Sequence, residues 1–352
     1  MTAAGEISRR HWRSRRAVLL VAVLAVVVGT VLALVVRRPG QPSTQPLPLH
    51  KVGEISLPGD TSRFDYASLD AERGLLFIAH LGASEVIEVD IRTHRVVRTI
   101  GNLSQVHGVL VVPALHRVYA TATGSNTLIS LDEDTGAVLN QAPTGDYPDG
   151  LAYDPHRNAI WTTNESGGSE TVVDAATGAV KGTVDLGGDA GNVAYDATAD
   201  RMLVDVQGHN ELAVIDPGTL SVTRRVPLPG CDHDHGLALD SAGRMAFVAC
   251  DGNATLLTID LGTWQVTGTA DVGQDPDVLA YDRQAHRLYV AAESGTVTVL
   301  DERARTATVV GSGHLADGAH VVAVDPTTHH SFYPVPHGAD GHPVLLEEAV
   351  VQ

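Results

Sequence analysis

Two cysteines in 352 residues leave no material for a disulfide scaffold or for a Cys-rich zinc or iron–sulfur module. The chain has no Gly-x-Ser-x-Gly elbow, no Gly-rich phosphate loop, no His-Glu-x-x-His and no Cys-x-x-Cys-His. Those absences argue against the serine hydrolases, nucleotide binders, zinc proteases and c-type haem proteins that carry such signatures. Aromatic residues make up only 4%, and 24 Lys+Arg face 42 Asp+Glu, for a net charge of −18. The deficit of positive charge is uneven. Residues 1–49 hold Arg9, Arg10, Arg13, Arg15, Arg16, Arg37 and Arg38 against one Glu, a net +6, so the other 303 residues carry −24. A body that acidic repels phosphate backbones, which excludes nucleic acid as a partner and favours cations, metal ions and basic surfaces. With 43% hydrophobic residues the chain has ample material for a core, so global disorder is excluded.

Ala17 to Val36 is a run of 20 residues without a charged side chain. At a rise of ~1.5 Å per residue, such a helix spans roughly the 30 Å of a bilayer core. The clustered arginines before it predict a cytoplasmic tail at 1–16, a transmembrane signal-anchor at 17–36, and everything beyond Arg38 on the extracytoplasmic side of the cell membrane. The alternative is a secreted protein released by signal cleavage. Val31-Leu32-Ala33 offers a cleavage site, and Ser14-Arg15-Arg16-Ala17-Val18-Leu19 resembles a twin-arginine export signal. Residues 37–49, with Pro39, Pro42, Pro46 and Pro48, read as a stiff linker.

From residue 50 to 352 the dominant feature is an internal repeat. Apolar strand patterns end at Asp70, Val112, Asp154, Asp196, Asp240, Asp282 and Asp325, in steps of 42, 42, 42, 44, 42 and 43 residues. A second column runs through Asp90, Asp132, Asp174, Asp216, Asp260 and Asp301. A period near 42 with four strand-sized segments per unit predicts an all-β, seven-bladed β-propeller. Strand alternation, as in Thr296-Val297-Thr298-Val299-Leu300, argues against a helical solenoid. The last unit runs out of chain after three strands. Residues 51–57 resemble the outer strand of other units and are expected to complete it, closing the ring with no open edge. The propeller is expected to be monomeric.

Arg287-Leu-Tyr-Val-Ala-Ala-Glu-Ser-Gly-Thr-Val-Thr-Val-Leu-Asp301 and Arg117-Val-Tyr-Ala-Thr-Ala-Thr-Gly-Ser-Asn-Thr-Leu-Ile-Ser-Leu-Asp132 resemble the YVTN-repeat, YncE-like propellers. The likeness extends over roughly residues 50–335, although the literal Tyr-Val-Thr-Asn tetrad is absent. It implies the fold and an exported location. The single-stranded DNA binding attached to a relative does not carry over, because this body lacks interleaved basic and aromatic residues.

Within a repeat, a residue present in every unit serves the unit. One that changes at a privileged position serves something unique. Both Asp columns stand before turns and read as structural caps. Trp161 and Trp264 fall in strand patterns and are expected in the core. Five residues before the first column, however, the units read Asp65, His107, Asp149, Gly191 (with Asn192 beside it), His235, Asp277 and His320. This slot opens the innermost strand, so these side chains are expected to form a ligand-binding ring at the channel mouth. His107, His235, His320, Asp65, Asp149 and Asp277 are candidate ligands for a divalent metal, since imidazole and carboxylate are its usual donors. Glu165, Gln207, Asp251 and Glu293, in loops on the same face, add negative charge that would raise the histidine pKa values. The rival is a structural hydrogen bond within each blade. His94, His116, His156 and His286 read as solvated turn residues. Cys231 and Cys250 fall in one blade, and the hairpin register sets Cys250 across from Asp234. They fit a disulfide, a Cys/His metal site with His233 and His235, or two free thiols.

Three functions remain open. One is a membrane-tethered extracytoplasmic propeller that binds a small molecule, a metal-linked ligand or a protein at the mouth. Another is a metal-dependent lyase or hydrolase, and the third is a structural adaptor without metal. A reporter fused after Leu49 is expected to be active outside the cytoplasm. Activity on the cytoplasmic side would overturn the orientation.

Overall fold

The computed structural model describes residues 45–351. The basic tail, the apolar run 17–36 and the first part of the linker lie outside the described residues. Among the described residues no helix is long and apolar enough to cross a membrane.

The described chain folds into seven four-stranded antiparallel sheets. Taken from the channel outwards, blade 1 comprises Ala67–Asp70, Leu75–His80, Glu85–Asp90 and Arg95–Ile100. Blades 2 to 6 repeat that order, with inner strands Val106–Val112, Pro148–Asp154, Val193–Asp196, Asp234–Asp240 and Pro276–Asp282. Blade 7 has Ala323–Val324, Ser331–Val335 and Val344–Val350, and its outer strand is Leu49–Ser56, which pairs antiparallel with Val344–Val350. The N-terminal strand therefore closes the ring, two residues earlier at its start than the sequence indicates. The end of the Pro-rich segment is docked as well. Ser312 donates its backbone N–H to the Gln45 carbonyl at 3.2 Å, Val351 donates to Pro48 at 2.8 Å, and Leu47 packs on the core between blades 6 and 7.

The Asp columns cap turns. Asp70 Oδ1 accepts from the backbone N–H groups of Glu72 and Arg73 at 2.9 and 3.1 Å, and Asp174 Oδ1 does the same for Ala176 and Thr177 at 3.1 and 2.9 Å. Asp240 departs from the pattern, receiving the Tyr281 hydroxyl at 3.4 Å and facing Arg283. Trp161 lies on a strand and is fully buried, as its pattern indicates. Trp264 does not. It ends the turn between Thr255–Asp260 and Gln265–Asp271 with φ at +60°, half-buried, beneath the Arg224 guanidinium. Its neighbours in sequence mimic a strand, but the capped turn that starts at Asp260 extends to residue 264, whose N–H donates to the Asp260 carbonyl.

All seven outer strands carry a register break at one equivalent place, leaving Val52, Val97, Leu139, Lys181, Thr223, Thr267 and Val310 without a partner. A bulge there twists the exposed edge and discourages pairing with another sheet.

Ile55 and Leu57 of the closing segment are buried in one cluster with Phe64, Leu76, Ile78 and Leu345, which joins blade 7 to blade 1. Each such side chain contributes about 1.5–3 kcal/mol. Deleting residues 49–56 is expected to lower the melting temperature of the whole propeller in one transition, as differential scanning calorimetry would show. Unchanged melting would refute the closure.

Candidate functional site

The inner strands do not pair with their own blades along their full length. The ladder with the second strand breaks at His107 and Gly108, at Asp149 and Gly150, at His235, and at Asp277 and Val278. Freed there, the backbones of His107 and His235 engage the adjacent blades. Tyr66 N–H donates to the His107 carbonyl at 3.3 Å, and Asn192 N–H donates to the His235 carbonyl at 3.0 Å. The approach is close. A Cβ on Gly108 would stand 2.2 Å from the Asp149 carbonyl oxygen, and one on Gly236 would stand 2.4 Å from that of Asp277. The His-Gly and Asp-Gly pairs thus place a polar side chain at the channel beside a glycine that admits the next blade.

Asp65, His107, Asp149, His235 and Asp277 line one cavity of ≈ 420 Å³, together with the loop residues Glu165, Gln207, Asp251 and Glu293. Two expected ring members stand elsewhere. His320 is buried behind Asp277, and Gly191 leaves a gap in which Asn192 turns its amide to the His235 carbonyl at 3.1 Å. The contacts in the ring run between neighbouring blades, not within them. His320 Nδ1 lies 2.7 Å from Asp277 Oδ2, His235 Nε2 lies 3.3 Å from Asp277 Oδ1, and His107 Nε2 lies 3.8 Å from Asp65.

A third set of lining residues, of which only His233 is singled out by the sequence, joins them. Arg63, Gln105, Tyr147, His233 and Asp275 each stand two residues before a ring position and face the same cavity. The repeat carries that signal, since the equivalent column reads Arg, Gln, Tyr, Asp, His, Asp and Gly. Arg63 changes the chemistry most. It crosses from blade 1 to pair with Glu293 and to approach Asp277 at 3.5 Å and Asp65 at 3.9 Å. The acidic ring therefore contains a cation of its own.

Burial governs the ionisation of this cluster. It pushes Asp149 up to about 7, and it raises Asp65 well above the usual range, reinforced by the charges of Asp149 and Asp277. Glu165 is raised for the same reason. Asp277 escapes: burial is outweighed by hydrogen bonds from His235 and His320, which hold its carboxyl far below normal. Burial alone would lower His235, but its hydrogen bond to Asp277 and the charges of Asp277, Asp149 and Glu165 push it up to about 10. The expected rise does not extend to His107, which burial lowers.

The ligand atoms of Asp277, Glu293 and His320 lie within 4.8 Å of one another, close enough to hold a metal ion. His107 and Asp65 are not in that group. For a metal to enter, Arg63 would have to release Glu293 and Asp277, and the His320–Asp277 hydrogen bond would have to open. Cys231 and Cys250 are joined through their sulfurs, with Cα atoms 5.4 Å apart, so neither stands as a thiolate ligand beside His233 and His235. His233 Nδ1 instead meets Asp251 at 2.7 Å. The turn histidines are exposed but paired, His94 with Glu347, His156 with Asp200 and His286 with Glu302, while His116 stands 4.0 Å from Glu133.

No family model and no curated protein matches the chain. Solved structures do. A chain in the crystal structure of the mitotic checkpoint complex superposes with a TM-score of 0.71 at 10% identity, over 90% of this chain and 96% of that one. Kuenenia stuttgartiensis hydrazine synthase gives 0.67 at 14%, over 85% and 95%. A streptogramin B lyase structure gives 0.70 at 13%, over 86% and 98%. At such identities the likeness establishes the seven-bladed fold alone.

The raised acids and raised histidine set the pH dependence of stability. Between 3.8 and about 7, folded Asp149 keeps a proton that the unfolded chain has released, so stability falls as pH rises through that window. His235 keeps its proton from 6.5 to about 10, where the unfolded imidazole has lost it; the stability it contributes below 6.5 is lost as pH rises through that span. Asp277 acts oppositely, and its contribution is lost only in strong acid. Thermal stability is expected to be greatest in mild acid and to decline above neutrality, with Asp149→Asn flattening the acid-to-neutral part. A maximum above pH 8 in calorimetric scans would contradict this account.

Proposed function

We propose that this protein is a membrane-tethered extracytoplasmic β-propeller of the YVTN-repeat, YncE-like kind that binds a cationic ligand at its channel mouth. The observation that carries the reading is the meeting of three variable columns of the repeat at one acidic cavity. Turn and core positions recur from blade to blade. The side chains of those three columns change type in almost every blade, as expected of residues selected for a ligand. A propeller stabilised only by its blades gains nothing from burying both Asp65 and Asp149 at one mouth, because desolvation of such acids opposes folding. The tether rests on the apolar run 17–36 and its arginine flanks, and the family on the Arg117–Asp132 and Arg287–Asp301 stretches.

A divalent ion is one such cation, with Asp277, Glu293 and His320 as its donors. A second reading, a metal-dependent lyase or hydrolase, draws on that grouping and on Asp149, whose carboxyl near 7 lies in the range of a general acid or base. One of the superposed structures is a streptogramin B lyase, which at that identity is an analogy of fold.

The test uses the purified full chain in detergent and calorimetric titration with Mn²⁺ and Zn²⁺. Arg63→Met removes the competing guanidinium and is expected to tighten divalent-ion binding by about tenfold, the size of one lost ion-pair competitor. Glu293→Gln and His320→Ala are expected to weaken it. Equal metal content in the native protein and in a His107→Ala, His235→Ala, His320→Ala triple variant would exclude the metal, and turnover would be needed to sustain the enzymatic reading.

A further inference from the structure

The two sides of the mouth are unequal in charge balance. Towards blade 6, Asp277 and Glu293 already meet Arg63 and His320, and Asp277 also meets His235. Towards blade 3, Asp149 and Glu165 form no ion pair among the described residues. Asp149 is 4% exposed, lines the cavity, and has a buried Oδ1 with no hydrogen-bond partner. The hydroxyl of Tyr66, which lines the same cavity, is also buried, with the Asn192 side chain beside it but at no normal hydrogen-bond geometry. Unsatisfied buried oxygens are uncommon in folded proteins and point to a missing donor.

We infer that the ligand is an organic ammonium ion whose –NH3+ group is held by Asp149, Glu165 and the Tyr66 hydroxyl oxygen. This narrows the cation-binding reading given above to a ligand class, and it rests on that reading. An ammonium group has three donors and no acceptor, and this side of the cavity offers two carboxylates and a phenol oxygen with no cation at ion-pair distance, since the nearby His235 is engaged by Asp277 at 3.3 Å. A metal ion suits it less well. The grouping of ligand atoms close enough for one lies across the cavity at Asp277, Glu293 and His320 and includes neither Asp149 nor Glu165. The space also exceeds what an ion needs. At ≈ 420 Å³, with Leu81, Pro276 and Tyr147 in its wall, the cavity accommodates a carbon body behind the charge. Tyr147 stands at the rim, 39% exposed, with its hydroxyl 3.1 Å from His107 Nε2 and its ring at an angle to that imidazole. An aromatic face there adds attraction for a cation passing over it.

The test is calorimetric titration of the full chain in detergent with benzylamine and with putrescine, with benzyl alcohol as the uncharged control and Mn²⁺ in parallel. The amines are expected to bind and the alcohol not. Asp149→Asn and Glu165→Gln should each weaken amine binding by about tenfold or more, the loss of one charge-assisted hydrogen bond. His116→Ala, at an exposed turn outside the cavity, should leave it within about threefold. Glu165 is a half-buried loop residue, so its variant carries the test alone if Asp149→Asn fails to fold. Amine binding that survives Glu165→Gln, or that is lost instead with Glu293→Gln, overturns the assignment. Mn²⁺ binding without amine binding overturns it while leaving the cation-binding reading in place. If neither cation binds, both fail.

Discussion

Carboxylates brought to the head of one narrow channel cannot all be ionised, and this constraint organises the mouth. Seven inner strands begin around a common axis, so whatever stands at their first turn is forced together out of water. Asp65, Asp149 and Asp277 are nearly inaccessible to solvent. Only Asp277 is closely flanked, by His320 at 2.7 Å, His235 at 3.3 Å and Arg63 at 3.5 Å. Burial instead raises the other two, Asp149 to about 7 and Asp65 well above the usual range. The mouth thus exists as one strongly ionised carboxylate with its retinue, facing acids that await a partner.

The sequence made the architecture legible because a propeller blade repeats its constraints. Each turn needs an acceptor for two backbone N–H groups, and the Asp columns supplied that acceptor at a period the eye can count. The same repetition exposed the ring, where Asp, His and Gly replace one another. The neighbouring column, with Arg63 and Tyr147, varies from blade to blade in the same way and faces the same cavity. The repetition misled at His320 and Asn192. His320 holds the slot of blade 7 but is buried against Asp277, and in blade 4 Gly191 holds the slot while Asn192 beside it turns its amide to the His235 carbonyl. Spacing fixes where a backbone enters the channel; it does not fix where a side chain turns.

Trp264 marks a related boundary. An aromatic residue beside Gln265-Val266-Thr267 looks like part of a strand, but the turn started by Asp260 needs a residue in the left-handed region at its end. Other blades fill that place with residues as different as His94, Gly136 and Leu220. A position defined by backbone conformation tolerates diverse side chains, and hydrophobicity alone then misleads.

Closure and mouth form one system. The strand that seals blade 7 ends at Ser56, and the segment that follows carries both Phe64 and Arg63 before blade 1 begins. Phe64 is buried in the cluster that joins blade 7 to blade 1 and stacks on His80 at 4.4 Å. Anchored by that ring, Arg63 reaches past blade 7 to Glu293 and Asp277 on blade 6. The cation that balances the ring is therefore delivered by the seam of the propeller. Loosening the seam would withdraw Arg63 from Asp277 and Glu293 and leave their mutual repulsion unbalanced, so ring closure and the charge balance of the mouth depend on each other.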